Sequence, residues 1–239
     1  MPVMVSDCRF GPMEPIELIR EKLVEPSILS ADYARLGEEV ATVMDAGARA
    51  IHVDVMDGHF VPPITIGPLI VEALRDLVHD RDGVLDVHLM VERPERRVEE
   101  FAAAGADSIS VHWEATPHVH YALKAVREAG LDAGLAINPA TTPEAIVGLV
   151  EAFDHVLCMT VNPGWGGQEY IDTSTVKVAR LRELLGPGVP IEVDGGLDPA
   201  TAGPAAAAGA TLFVAGSSIF GAPDPAQAYR QIAAAAGAN

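Results

Sequence analysis

Short apolar runs alternate with longer stretches in which apolar positions recur every three or four residues. The runs cover 24–29, 50–55, 84–90, 108–113, 133–138, 155–160, 190–194 and 211–216. Each is short, rich in Val, Ile and Leu, and bounded by turn residues, which predicts eight strands. The intervening stretches predict helices, among them 33–46, 94–104, 117–129, 173–185 and 199–208. Each of these five stops at a glycine, Gly47, Gly105, Gly130, Gly186 or Gly209, the residue that accepts the left-handed conformation of a helix C-cap. The phrases DAGARAIHVDV, AAGADSISVHW and AAGATLFVAG repeat one plan of helix end, Ala-Gly-Ala turn and next strand. Strand and helix alternating eight times imply parallel strands with helical crossovers. An open doubly wound sheet and a closed barrel both satisfy that alternation. The 239-residue length, with no sign of a second domain, favours a single α/β domain, a (β/α)8 TIM barrel with a parallel eight-stranded core. Residues 1–13 read as a loosely ordered N-terminal tail and 14–239 as the barrel domain.

Composition narrows the partners. Apolar residues make up 49% of the chain, enough for a large core. The formal net charge of −18 lacks the basic footprint that nucleic-acid binding needs. It also repels phosphorylated molecules at long range, so an anion site here must rest on local backbone donors. The two cysteines, Cys8 and Cys158, form no disulfide framework and fit a reducing, cytoplasmic setting. No apolar stretch reaches the ~18 residues of a membrane span, and residues 1–15 lack the layout of a signal peptide, so no membrane partner is expected.

Several strands break the all-apolar pattern of a buried parallel strand at similar places. His52 and Asp54 lie two residues apart and so share a face of the second strand; His88 lies near the end of the third; Asp194 ends the seventh. Taken singly, a strand-end aspartate often caps a turn and a strand histidine is often a satisfied core residue. Together, two histidines and two aspartates from three strands, all toward one barrel mouth, form a natural divalent-metal site, and a cation removes the cost of burying the carboxylates. His59 and His112 are placed to line the same mouth, while His79, His118, His120 and His155 read as surface or structural. Glycine-rich segments follow the last three strands: Gly164, Gly166 and Gly167 after the sixth, Gly195 and Gly196 after the seventh, Gly216 with Ser217 and Ser218 after the eighth. Glycine lets backbone N–H groups converge on an anion, and barrel phosphate sites recur at the last loops. No GxGxxG follows the first strand, so a dinucleotide is not expected.

The stretches PSILSAD (26–32), HVDVMDGHFVP (52–62), ITIGP (64–68), DVHLMV (86–91), VNPGWGGQ (161–168), VDGG (193–196) and AGSSIF (215–220) closely resemble the ribulose-phosphate 3-epimerase family, in order and over 25–229. The resemblance implies a metal-dependent isomerase that interconverts D-ribulose 5-phosphate and D-xylulose 5-phosphate in the pentose phosphate pathway. It implies one divalent ion (Zn, Fe, Mn or Co) on His52, Asp54, His88 and Asp194, and no organic cofactor. It also implies substrate and phosphate contacts from Ser27, His88, Gly164, Trp165, Gly166, Gly167, Asp194, Gly195, Gly196, Gly216 and Ser217. Leu29, Met56, Met90 and Met159 match apolar positions near the metal, although from the sequence alone ordinary core packing is the stronger reading of all four. A ketose phosphate is the implied small-molecule partner, and a dimer or hexamer the implied assembly.

Inverting the carbon beside a ketone needs an acid and a base on opposite faces of an enediolate, roles the resemblance gives to Asp54 and Asp194. The sequence departs from the family at Pro63, where Asn is usual, and at Trp165, where Phe is usual. Pro63 leaves open the 3-epimerisation of a hexulose phosphate such as D-allulose 6-phosphate. A decarboxylase or synthase on a related barrel carries Asp-x-Lys-x-x-Asp at a strand end, and DVMDG has no lysine. A sugar-phosphate-binding barrel without activity is the non-enzymatic alternative.

Overall fold

The computed structural model describes residues 19–238. The predicted tail at 1–13, and Cys8 within it, lie outside the described residues. The eight strands are β1 (Leu23–Pro26), β2 (Ala50–Met56), β3 (Val84–Met90), β4 (Ser108–His112), β5 (Asp132–Ile137), β6 (His155–Met159), β7 (Ile191–Asp194) and β8 (Leu212–Ala215). They pair in parallel in the order β1-β8-β7-β6-β5-β4-β3-β2. The two edges meet at one parallel bridge, Ser27 to His52, and this nearly closes the barrel. Its outer ring is α1 (Leu36–Asp45), α2 (Pro68–His79), α3 (Val98–Ala104), α4 (Val119–Glu128), a 3-10 segment (Pro143–Leu149), α5 (Ser174–Leu185), α6 (Pro199–Ala208), the short α7 (Ser217–Phe220) and α8 (Pro225–Ala236). The architecture is the predicted (β/α)8 barrel.

Local chemistry explains the boundaries. The five glycines that close predicted helices all have positive φ. Asp198 starts α6 with a reciprocal capping box: its side chain accepts the Ala200 and Thr201 N–H groups, while Thr201 Oγ1 accepts its own N–H, and Pro199 occupies the first turn. The first strand is shorter than the predicted 24–29. It ends at Pro26, and Ile28–Ser30 coils into a 3-10 turn capped by Ser27, whose Oγ accepts the Leu29 N–H at 3.3 Å. A serine hydroxyl offers the backbone this local alternative to the sheet ladder. The predicted helices at 33–46 and 94–104 likewise open with 3-10 turns before becoming α-helical.

Strand alternation sorts the buried side chains into two sets. Outward-facing Val53, Val55, Leu85, Val87, Leu89, Ile109 and Val111 join the helices in the main core. The inward face rises in storeys two residues apart. Leu23, Ala50, Val84 and Leu212 form an apolar floor. Above it, Glu25, His52, Asp86 and Glu192 bring their side chains together. One storey higher come Ser27, Asp54, His88 and Asp194, and then Met56 and Met90. The apolar floor and the outer core hold the barrel rigid, and its polar side chains face the end where β-strands hand over to loops, which is where barrels carry their chemistry.

Candidate active site

His52, Asp54, His88 and Asp194 each place one ligand atom within 4.8 Å of the others. His52 Nε2 lies 3.3 Å from Asp54 Oδ1, and His88 Nδ1 lies 3.0 Å from the same oxygen and 3.6 Å from Asp194 Oδ2. Ser27 Oγ donates to the other Asp54 oxygen at 2.6 Å. The two histidines thus turn different nitrogens to one point. On the far side of its ring, His52 Nδ1 meets Asp86 Oδ2 at 2.7 Å, with Glu192 Oε1 at 3.2 Å. A carboxylate there accepts a hydrogen bond from Nδ1–H, so Nε2 is the nitrogen turned toward the cluster. That buried Nε2 has no hydrogen-bond partner among the described residues. An orphaned imidazole nitrogen facing two carboxylates and a second imidazole is a donor set that fits a divalent cation. The cluster can hold a metal ion.

The buried carboxylates and imidazoles shift one another strongly. Burial pushes the Asp194 carboxyl up, and the Asp54 charge pushes it further, to about 7. Burial also opposes ionisation of Asp54, but the charges and hydrogen bonds of His52 and His88 hold it well below the usual carboxylate range. His52 is held well above its ordinary value despite burial, chiefly by Asp54, Asp86 and Glu192. One storey down, burial and the Glu192 charge push Glu25 up to about 8, so it keeps its proton at neutral pH.

A cleft of about 530 Å³, counting the space open to solvent, sits above the four side chains. Asp54 and Asp194 reach its base, whereas His52 and His88 lie beneath them and do not line it. Ser27, Leu29, Met56, Met90 and Met159 form the lower wall, and Gly164 to Gly167, Gly195, Gly196, Gly216 and Ser217 form the upper one. All three glycine-rich loops therefore meet around one space. The loop after β6 is held in shape by Gln168, whose Nε2 donates to the Asn162 and Trp165 carbonyls at 2.7 and 2.8 Å. The turn after β7 requires glycine: Gly196 has φ +68°, and a Cβ there would collide with the backbone of Tyr170. Trp165 stands on the rim with 64% of its surface exposed. Pro63 does not line the cleft; it packs behind Gly164.

The other histidines take different places. His112, expected to line the mouth, is fully buried behind His88. The rings stack at 4.9 Å with the Nε2 atoms 2.8 Å apart, and burial pulls His112 down to about 4. His155, read as surface or structural, is buried inside the barrel on Asp132 Oδ1 at 2.6 Å and Ser110 Oγ at 3.0 Å. His59 stays exposed in the loop after β2, where Asp57 accepts its N–H at 2.8 Å. Sequence reasoning misses Glu25, Asp86, Glu192 and Gln168. The first three carried a signal: Asp86 precedes His88 by two residues, Glu192 precedes Asp194 by two and Glu25 precedes Ser27 by two, the same-face spacing that relates His52 to Asp54.

A nearly closed parallel barrel with a metal-competent His/Asp cluster under converging glycine loops belongs to the class of (β/α)8-barrel enzymes. Solved structures agree on the fold. KGPDC from Streptococcus mutans superposes with a TM-score of 0.69 at 20% identity, covering 91% of this chain and 98% of that one. The 3-hexulose-6-phosphate synthase from Salmonella typhimurium gives 0.68 at 19% identity, covering 90% and 98%. Sequence comparison is more specific. The model of the Ribulose-phosphate 3 epimerase family matches residues 23–220. Proteins named ribulose-phosphate 3-epimerase are 48% identical over 213 residues in Bacillus subtilis, with 87% of this chain and 97% of that one covered. In Rhodobacter capsulatus the figures are 52% over 198 residues, 82% and 85%; in Escherichia coli K12 they are 46% over 209 residues, 86% and 92%. The chain belongs to the ribulose-phosphate 3-epimerase family, and so to the carbohydrate epimerases of the isomerase class.

Proposed function

We propose that this chain interconverts D-ribulose 5-phosphate and D-xylulose 5-phosphate by moving the proton at C3, a step of the pentose phosphate pathway. The substrate comes from the names of relatives 46–52% identical over most of the chain. The observation that carries the mechanism is that two carboxylates, Asp54 and Asp194, meet at the base of one cleft. They come from β2 and β7, which β1 and β8 separate around the barrel. One removes the C3 proton from its face of the sugar, and the other delivers a proton to the opposite face of the enediolate. Ser27, donating to Asp54 Oδ2 at 2.6 Å, fixes that carboxylate's orientation.

His52, Asp54, His88 and Asp194 would hold one divalent ion, a role their donor types suit, and the family resemblance implies Zn²⁺, Fe²⁺, Mn²⁺ or Co²⁺. When bound, such an ion supplies Lewis acidity to the ketone and offsets negative charge developing beside it. Leu29, Met56, Met90 and Met159 exclude water and so strengthen the field at the reacting carbon. Backbone N–H groups of the loops bearing Gly164 to Gly167, Gly195, Gly196, Gly216 and Ser217 hold the phosphate at short range, against a net charge of −18.

Asp54→Asn and Asp194→Asn are each expected to lower kcat by at least about 10²–10⁴-fold, the usual contribution of a positioned acid or base. Removing metal with a chelator should abolish turnover, and restoring Zn²⁺ or Co²⁺ should return it. Full activity in either asparagine variant contradicts the two-carboxylate scheme.

A further inference from the structure

Behind His88, on the side away from the cleft, three polar groups lie in line. His88 Nε2 is 2.8 Å from His112 Nε2, and His112 Nδ1 is 3.3 Å from Glu114 Oε2. Glu114 Oε1 accepts the Asn138 N–H at 2.9 Å and the Thr141 hydroxyl. Two nitrogens cannot share a hydrogen bond unless one carries the proton and the other does not. The far end of the line decides which. Two donors already hold Glu114 as a carboxylate, so it accepts from His112 Nδ1, and His112 must carry its proton there. With its ring proton held at Nδ1 by Glu114, the buried His112 turns the lone pair of Nε2 toward His88. His88 must then donate from Nε2.

We infer that His112 and Glu114 are positioning residues that fix the His88 tautomer, with the proton on Nε2 and Nδ1 presented to Asp54 and Asp194. The proposal rests on the metal reading of the four-residue cluster and adds a function for two residues outside it. It also explains how the two histidines of the cluster offer different nitrogens. A carboxylate on β3, Asp86, accepts a hydrogen bond from His52 Nδ1–H directly, at 2.7 Å. The Glu114 carboxylate accepts a hydrogen bond from His112 Nδ1–H, and the intervening imidazole passes the constraint to the opposite nitrogen of His88. The line crosses the ends of β3 and β4 and anchors on the segment after β5, so it also ties three successive strand ends together behind the cleft.

Two experiments test it. In the first, ¹⁵N-edited NMR of the histidine rings is recorded on the metal-free wild-type protein. The expected result is His88 with its proton on Nε2, and His112 neutral with its proton on Nδ1. His88 bare at Nε2, or His112 protonated on Nε2, overturns the inference whether or not the protein binds metal. In the second, Co²⁺ affinity is measured by competition with a chelator, alongside the visible spectrum of the Co²⁺ protein. His112→Leu should weaken Co²⁺ binding by about 10–100-fold, the usual loss when a metal-bound histidine loses its supporting acceptor, and should alter the cobalt spectrum. His112→Gln, whose amide can accept from His88 and donate to Glu114, should recover most of both. Wild-type affinity and spectrum in His112→Leu contradict the positioning role. A wild-type protein that binds no Co²⁺ sinks the metal reading instead, and the NMR result still decides the tautomer.

Discussion

Gly134, in the middle of β5, makes room for the polar interior of the barrel. A Cβ at this position would collide with Ser110 Oγ and with His155 Nε2. Gly134→Ala must therefore displace a hydrogen-bonded serine and a buried histidine held on Asp132. Overpacking of this kind costs about 1–3 kcal/mol. Urea unfolding of the variant should show a lower midpoint at unchanged slope; an unchanged midpoint would mean that the interior is looser than its contacts imply. At this scale the sequence disclosed the residues whose chemistry breaks an apolar strand. Their partners stayed hidden for a physical reason. Asp86 and Glu192 lie on strands the pattern marks as buried, and nothing local says whether a buried carboxylate meets a histidine, a proton or a turn. Pairing of β2 with β3, which sets Asp86 beside His52, supplies that answer. His112 was legible as a strand-end histidine, but its direction was not, because the stacking on His88 depends on the register of β3 and β4.

The ends of the strands, with the turns that follow, are where the elements acquire function. The 3-10 turn Trp113–Ala115 after β4 carries Glu114, which hydrogen-bonds to the segment after β5 through Asn138 and Thr141. Burial alone would raise Glu114, but hydrogen bonds from His112, Thr141 and Asn138 hold it down at about 2, against an ordinary 4.5. The folded state therefore favours the charged form. This contribution to stability is complete above pH 4.5 and is lost as pH falls toward 2. Glu114→Gln, which cannot ionise, should lose less stability than wild type across that window in acid titrations followed by circular dichroism. Parallel acid limbs would contradict the assignment. Element positions were widely legible because β/α alternation, Ala-Gly-Ala turns and helix-ending glycines agree with one another. The exceptions are local competitions that a hydrophobic pattern does not register: Ser27 ends β1 early by capping its own turn, and 3-10 turns begin two of the predicted helices.

At the scale of the whole molecule, the barrel does two separate things. Its outer core of Val, Ile and Leu between sheet and helices provides rigidity, while its inner face carries carboxylates and imidazoles in storeys above an apolar floor. Among the described residues no helix is long and apolar enough to cross a membrane. The net charge of −18 opposes an anionic substrate at long range, so the proposed phosphate contacts rest on the glycine-rich loops that line the cleft. Closure at the single Ser27–His52 bridge brings β2 round to face β7, and that is what sets Asp54 and Asp194 over the same space. The central claim, proton transfer at C3 between these two carboxylates, is tested most directly by following D-ribulose 5-phosphate in D₂O with metal-loaded enzyme, by NMR. The expected result is D-xylulose 5-phosphate formed with one solvent deuterium at C3, at a rate that collapses in Asp54→Asn and in Asp194→Asn. Inverted product that retains its original C3 hydrogen, or no conversion at all by the metal-loaded protein, would contradict it.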